Sequence, residues 1–190
     1  MSTSGTESGT RSRTRRAILA AAAATLARDR KATLADIAEA AQVGRSTLHR
    51  YFADRNELMA AAIVDSFGAV EDSVRAAAID QGPALEAMRR LIAAMVESGD
   101  RLAFLFGDPH VLEEFTDRFE PDMSVPTTLD LIKRGQEEGV FDPAASPEWI
   151  QRVIWALTYT GWEAAEKGEL PRHGITATVI RTFESGVVVT

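Results

Sequence analysis

The sequence predicts an all-α fold. Apolar residues recur every three or four positions in one segment after another, residues that cap helices precede several of those segments, and no stretch alternates with period two over a strand's length. With 45% hydrophobic and 26% charged residues, a chain of 190 has enough apolar material for a real core in one generous domain or two small ones.

Residues 1 to 10, "MSTSGTESGT", have no hydrophobic periodicity and are rich in Ser, Thr and Gly, so a disordered tail is expected, reaching to residue 13. Ile18, Ala22 and Leu26 recur every four residues and predict a first helix from about Thr14 to Arg28. Thr33 with Asp36 reads as a capping box for a short second helix carrying Leu34, Ile37, Ala38 and Ala41. Leu48 and Phe52 share one face of a third, and Asp54 with Glu57 marks the start of a fourth. Met59, Ile63, Phe67, Val70 and Val74 make that fourth helix long, and "DQGP" ends it, Gly82 as a cap and Pro83 as the first position of the next. The fifth helix carries Leu85, Met88, Ile92 and Met95. "RLAFLFGDPHVLEEFTDRF" reads as two short helices broken at Gly107 to Pro109, and Val125, Leu129 and Ile132 predict another that ends at Gly139. Ser146 caps a long helix with Pro147 and Glu148 in its first turn, and the last helix runs from Ile175 to about Val187. The terminal "GVVVT" is too short and isolated to build a sheet.

Several function classes are disfavoured by composition alone. Without cysteine there are no disulfides and no cysteine-rich zinc or iron–sulfur sites, and the composition suits a reducing cytoplasm. The longest apolar run, Ala17 to Ala24, is far shorter than the roughly 20 residues that span a bilayer, and no secretory signal is apparent. His49, His110 and His173 lie in separate segments, the pairs Glu113–Glu114 and Glu137–Glu138 diverge around their helices, and no phosphate-cradling glycine loop, G-x-S-x-G or H-E-x-x-H occurs. Neither an enzyme nor a metal or other cofactor is expected.

Charge is unevenly placed. Residues 1 to 60 hold ten Lys/Arg against six Asp/Glu, a balance of +4, whereas the remainder holds 11 against 22, a balance of −11. That asymmetry suggests an N-terminal part that meets a polyanion, although chance placement of surface charge would produce it too. Only a few residues around Gln42 to Gly44 separate the second and third helices, which is helix-turn-helix spacing, and "VGRSTLHRYF" presents Arg45, Ser46, Thr47, His49 and Arg50 around the anchors Leu48 and Phe52. Arginine can bridge two acceptors on a guanine edge, and small hydroxyls can approach phosphates or bases closely. Without the helix before it, a solvated amphipathic helix would be the better reading.

Residues 15 to 63 resemble the TetR-type transcriptional regulators through an alanine-rich first helix, Thr33 with Ile37 and Ala38, Ser46 to Phe52, and Arg55 with Glu57 and Leu58. The resemblance implies that Arg45, Ser46, Thr47 and Arg50 read bases in the major groove, and that Thr33, His49, Tyr51 and Arg55 grip phosphates. Gln42 stands where the family's turn usually has Gly, and Gly44 where it usually has an N-cap Ser. Arg11, Arg13, Arg15 and Arg16 read as a solubilising tail or as a basic arm for a minor groove.

The resemblance further implies a three-helix DNA-binding head at 14–58, a ligand-binding and dimerisation body at 59–190, and about nine helices in all. An inducer cavity is implied in the body, with Met88, Phe104, Phe106, Phe115, Phe119, Trp155 and Trp162 as candidates to line it for a small apolar or cationic ligand, and Glu97 or Asp100 as a possible countercharge. Plain core packing competes with that role at each position. On the long penultimate helix, Ile150, Val153, Ile154 and Leu157 make one apolar face while Trp155, Tyr159 and Trp162 make a second; the last helix repeats this with Ile175, Val179 and Phe183 beside Thr176 and Ile180. A helix pair that is apolar on two sides has another layer or another copy above it, so Trp155, Tyr159, Trp162, Thr176 and Ile180 are candidates for a homodimer interface. The sequence reading is therefore a cytoplasmic, ligand-responsive repressor that binds a palindromic operator as a dimer, with a constitutive DNA-binding regulator or a stand-alone helical ligand-binding protein as alternatives.

Overall fold

The computed structural model describes residues 4–107 and 127–189, with side chains from Gly9 onward. Among these residues there are nine α-helices: α1 (Ser4–Arg28), α2 (Leu34–Ala40), α3 (Arg45–Tyr51), α4 (Arg55–Ala76), α5 (Ala84–Glu97), α6 (Gly99–Phe106), α7 (Thr128–Glu137), α8 (Pro147–Glu166) and α9 (Ile175–Val187). No strand occurs among them, only an isolated antiparallel bridge between Phe141 and Val188. No helix of the described residues is long and apolar enough to cross a membrane.

Most helix starts follow from their caps. Thr33 accepts from the Asp36 amide and Asp36 accepts from the Thr33 amide at 2.7 Å, closing the expected capping box. The pair Thr127 and Asp130 repeats the device at α7. Ser146 accepts from the Trp149 amide at α8, with Pro147 in the first turn. At α4, the Glu57 amide donates to Asp54 and the Ala53 amide to Glu57 at 2.7 Å. These bonds satisfy amides that the helical pattern leaves without partners.

Two boundaries differ from expectation. Helix α1 begins at Ser4, so residues 4 to 13 are helical where a disordered tail was expected. Once the buried turns from Ile18 to Leu26 have nucleated the helix, each further residue adds a bond at little cost, and Thr14 and Arg13 both bond back to Thr10. Helix α4 stops at Ala76, ahead of Gly82, because Ala78 already takes φ 46° and the guanidinium of Arg90 donates to the turn's carbonyls at Ala77, Ala78 and Gln81. The second short helix expected after Gly107, and Val125, lie outside the described residues.

The chain forms two compact units, the first with α1 to α3, α4 through Ala69, and α6 from Asp100, the second with α4 from Val70, α5, α7, α8 and α9. The expected division after residue 58 falls within α4, the helix that both units share. In the first unit Ile18, Leu19, Ala22, Ala23 and Leu26 of α1 pack with Ile37 and Ala38 of α2, Leu48 of α3, Phe52, Leu58 and Ile63. Helix α6 is fastened to this core by charged hydrogen bonds. Arg28 meets Asp100 at 3.0 Å, Arg101 meets Asp65 at 2.7 Å, and Arg30 donates to the carbonyls of Ala103 and Phe104 near the helix's C-terminal end, where a cation is favoured.

The second unit buries Ala84, Ala87, Met88, Leu91, Ile92 and Met95 of α5, Ile150 and Ile154 of α8, and Ile175, Val179 and Phe183 of α9. Two glycines permit its closest approaches. A Cβ on Gly135 would lie 2.1 Å from the ring of Phe141, and one on Gly161 would lie 2.9 Å from both Ile175 and Val179.

Candidate nucleic-acid interface

The turn between α2 and α3 is a helix C-terminus closed in the Schellman pattern: the Gln42 amide donates to the Glu39 carbonyl and the Val43 amide to that of Ala38, both at 2.9 Å. The pattern requires a left-handed residue, and Gln42 supplies it at φ 56° despite its Cβ. Gly44 then opens α3 in extended backbone, φ −69° and ψ 149°, with no side chain to cap it. Both departures noted in the sequence thus alter the strength of the turn while its geometry is kept.

Helix α3 is anchored by Leu48 and by Phe52 just beyond it, both essentially inaccessible to solvent. Opposite them Arg45 and His49 stand one turn apart, as do Ser46 and Arg50, and all four are exposed; Thr47 is half-buried beside them. Neither Arg45 nor Arg50 forms an ion pair among the described residues. The charge on this face is therefore available to an external anion or base edge. Tyr51 is half-buried, with the guanidinium of Arg50 5.7 Å and that of Arg11 5.9 Å from its ring centre. Arg15 stands 5.5 Å from the centre of the Phe52 ring. Arg11, Ser12, Arg15 and Tyr51 line an open cleft of about 360 Å³ between α1 and α3.

Two residues assigned to phosphates are engaged elsewhere. Arg55 donates to the carbonyl of Arg30 at 2.9 Å and to that of Ala32, so its guanidinium ties the α1–α2 connection to the start of α4. The family pattern marks a basic residue at this position, and only the fold reveals that two backbone carbonyls lie within its reach. Thr33 turns its hydroxyl onto the Asp36 carboxylate at 2.8 Å. The amide and hydroxyl of Thr33 hold the Asp36 carboxyl below the usual carboxylate range, with Arg45 adding a smaller effect. That carboxylate occupies the N-terminal end of α2 where the resemblance implied a DNA phosphate.

The candidate ligand residues do not gather in one place. Phe104 is fully buried in the first unit's core, with the Arg30 guanidinium 5.5 Å from its ring centre, and Phe106 packs edge-on against Phe67. Their position in the sequence suggested the body; the contacts of α6 put both in the first unit, with α1 to α3. Asp100 is committed to Arg28, and Glu97 is exposed. Met88 is inaccessible within the α5 core, whereas Trp155 and Trp162 are half-buried on α8, and Phe115 and Phe119 lie outside the described residues. Trp162 touches Gly99 so closely that a Cβ there would stand 2.7 Å from the indole, and its ring centre is 5.9 Å from that of Tyr159. Of the expected interface residues, Tyr159 is exposed while Trp155, Trp162, Thr176 and Ile180 are half-buried within one chain.

Known proteins resemble this chain in sequence and in fold. Residues 18–62 match the family model of the bacterial regulatory proteins of the tetR family. The chain is 35% identical over 188 residues to the HTH-type transcriptional repressor LfrR of Mycolicibacterium smegmatis, covering 99% of this chain and 97% of that one. A crystal structure of the TetR-like transcriptional regulator LfrR from Mycobacterium smegmatis superposes with a TM-score of 0.72 at 33% identity, covering 95% of this chain and 99% of its own. A second crystal structure of that regulator, in complex with proflavine, gives 0.63 at 32% identity, with 94% and 99% covered.

Proposed function

The chain belongs to the TetR family of bacterial regulatory proteins, and on that footing we propose that it is a cytoplasmic repressor that binds a palindromic operator as a homodimer and is released by a small ligand. The observation that carries the DNA-binding part is α3: Arg45, Ser46, His49 and Arg50 stand exposed on the side away from the buried anchors Leu48 and Phe52. In this reading Arg45, Ser46, Thr47 and Arg50 address base edges while His49 and Tyr51 contact phosphates. Arg55 supports the site from behind, through the carbonyls it holds.

Dimerisation is assigned to α8 and α9. Their stripes Ile150–Ile154–Thr158–Gly161 and Ile175–Val179–Phe183 are buried within the chain, and Tyr159, Trp155 and Ile180 leave further apolar surface for a second copy. Two recognition helices related by such a two-fold axis would enter successive major grooves about 34 to 36 Å apart.

LfrR in complex with proflavine supports a ligand of the same kind, a planar aromatic cation, for this chain, with the half-buried Trp155 and Trp162 of the second unit as candidate aromatic partners. Because α4 is one continuous helix shared by both units, a ligand that prefers a different arrangement of the second unit lowers DNA affinity by the factor by which DNA lowers its own. The test is a mobility shift on duplexes from the intergenic regions beside its own gene, followed by titration with proflavine. Retarded complexes that dissociate on titration are expected. Salt-dependent DNA binding that ignores proflavine would leave a regulator with another ligand or none, and absence of DNA binding would refute the reading.

A further inference from the structure

The cleft between α1 and α3 lies outside the recognition helix's outward face, and its chemistry matches a phosphodiester. Arg11 and Arg15 occupy positions i and i+4 of α1, so both side chains leave the helix on one side, towards Tyr51 and Phe52. Neither arginine forms an ion pair among the described residues, and Arg50 approaches the same tyrosine ring from α3. Two guanidinium groups therefore stand near the Tyr51 ring, and Arg15 lines the same cleft over Phe52. The cleft's volume of about 360 Å³ is that of about a dozen waters at ~30 Å³ each, room for a phosphate group with part of its hydration. Guanidinium forks suit phosphate oxygens, and aromatic rings beneath Arg11 and Arg15 limit how far the side chains can stray before an anion arrives.

We propose that Arg11 and Arg15, together with Tyr51, form a binding site for a backbone phosphate of duplex DNA, built on the N-terminal part of α1. This part then works as a rigid phosphate clamp that positions α3, and an unstructured arm in the minor groove is not needed. The inference rests on the DNA-binding reading above. It concerns affinity and register and carries no base discrimination.

The test measures the affinity of the full chain for a 30-base-pair duplex of random sequence between 50 and 200 mM salt, for wild type, Arg11→Gln/Arg15→Gln, and Arg13→Gln/Arg16→Gln. The second double variant removes the same charge from α1 positions outside the cleft. Each phosphate contact contributes about 0.9 to the slope of log affinity against log salt. The cleft variant should therefore lose about one from the slope, and its deficit relative to wild type should shrink about threefold across this salt range. Arg13→Gln/Arg16→Gln should lose clearly less. If Arg15→Gln unfolds the head by uncovering Phe52, Arg11→Gln alone gives the same comparison. An unchanged slope, or equal loss in both double variants, overturns the clamp. So does a melting temperature raised by inorganic phosphate in wild type but not in the cleft variant, with the DNA slope unaltered, since that describes a free-anion site. Wild-type binding that lacks any salt dependence overturns the DNA-binding reading and the clamp together.

Discussion

Replacing Arg55 with alanine separates a structural role from a contact with DNA. Its guanidinium bonds the carbonyls of Arg30 and Ala32, and Ala32 is only 3% exposed, so water cannot fully replace the lost partner. A hydrogen bond to a charged group contributes about 1.5 to 3 kcal/mol, and partial exposure of Arg55 screens both of its bonds. Arg55→Ala should then destabilise the first unit by about 2 to 4 kcal/mol in total. With a urea dependence of about 2 kcal/mol/M, the unfolding midpoint followed by circular dichroism should fall by about 1 to 2 M. Arg55→Lys should fall less, because an ammonium keeps the charge but lacks the planar fork. The salt slope of DNA binding should be unchanged in both variants. A midpoint equal to wild type together with a slope lower by about 0.9 would show that the guanidinium grips a phosphate, and the reasoning from its carbonyl contacts would be wrong.

Three further outcomes are expected. Gly44→Ser should stabilise by about 0.5 to 1 kcal/mol in urea unfolding, since a cap serine and a restricted unfolded chain both contribute; the backbone at Gly44 nearly matches that of Ser146, a working serine cap with φ −65° and ψ 147°, and a Cβ there meets nothing closer than 3.8 Å. Gly135→Ala should cost about 1 to 3 kcal/mol, because a methyl group 2.1 Å from the Phe141 ring forces that buried ring to move, and a crystal structure or melting curve indistinguishable from wild type would contradict this close packing. Acidification should weaken the caps of α2 and α7. Asp36 is held low mainly by the Thr33 amide and Asp130 mainly by the Thr127 hydroxyl, so their stabilisation is complete above the ordinary carboxylate value of about 4 and disappears as pH falls through the lower folded values. Thermal melts between pH 2 and 6 should show a shallower acid loss in Asp36→Asn than in wild type.

How much the sequence disclosed depended on how local each feature is. Capping boxes at Thr33 and the serine cap at Ser146 are legible because the whole device lies within four residues. The anchors Leu48 and Phe52 and the exposed donors between them follow from one helix's periodicity. By contrast, the hydrogen bonds of Arg55 to residues 30 and 32, and of Arg30 to residues 103 and 104, join positions far apart in the chain, and no spacing rule reveals them. The same cause hides which unit holds Phe104 and Phe106. Their apolar character is plain, but the unit in which they pack is decided by Arg28, Arg30 and Arg101 holding α6. At Arg11 and Arg15 the signal was present as an i, i+4 pair, and the polar composition around it hid the helix that gives the spacing its meaning.

The central claim, that α3 reads DNA sequence, is tested most directly by Arg45→Ala measured by fluorescence anisotropy on two duplexes, the tightest-binding intergenic fragment and a random sequence of equal length. Loss of a base-edge contact predicts a cost of about 1 to 3 kcal/mol on the preferred duplex and a markedly smaller one on random DNA, so that discrimination narrows. Equal losses on both duplexes, or none on either, would contradict a base-reading role for the exposed face of α3.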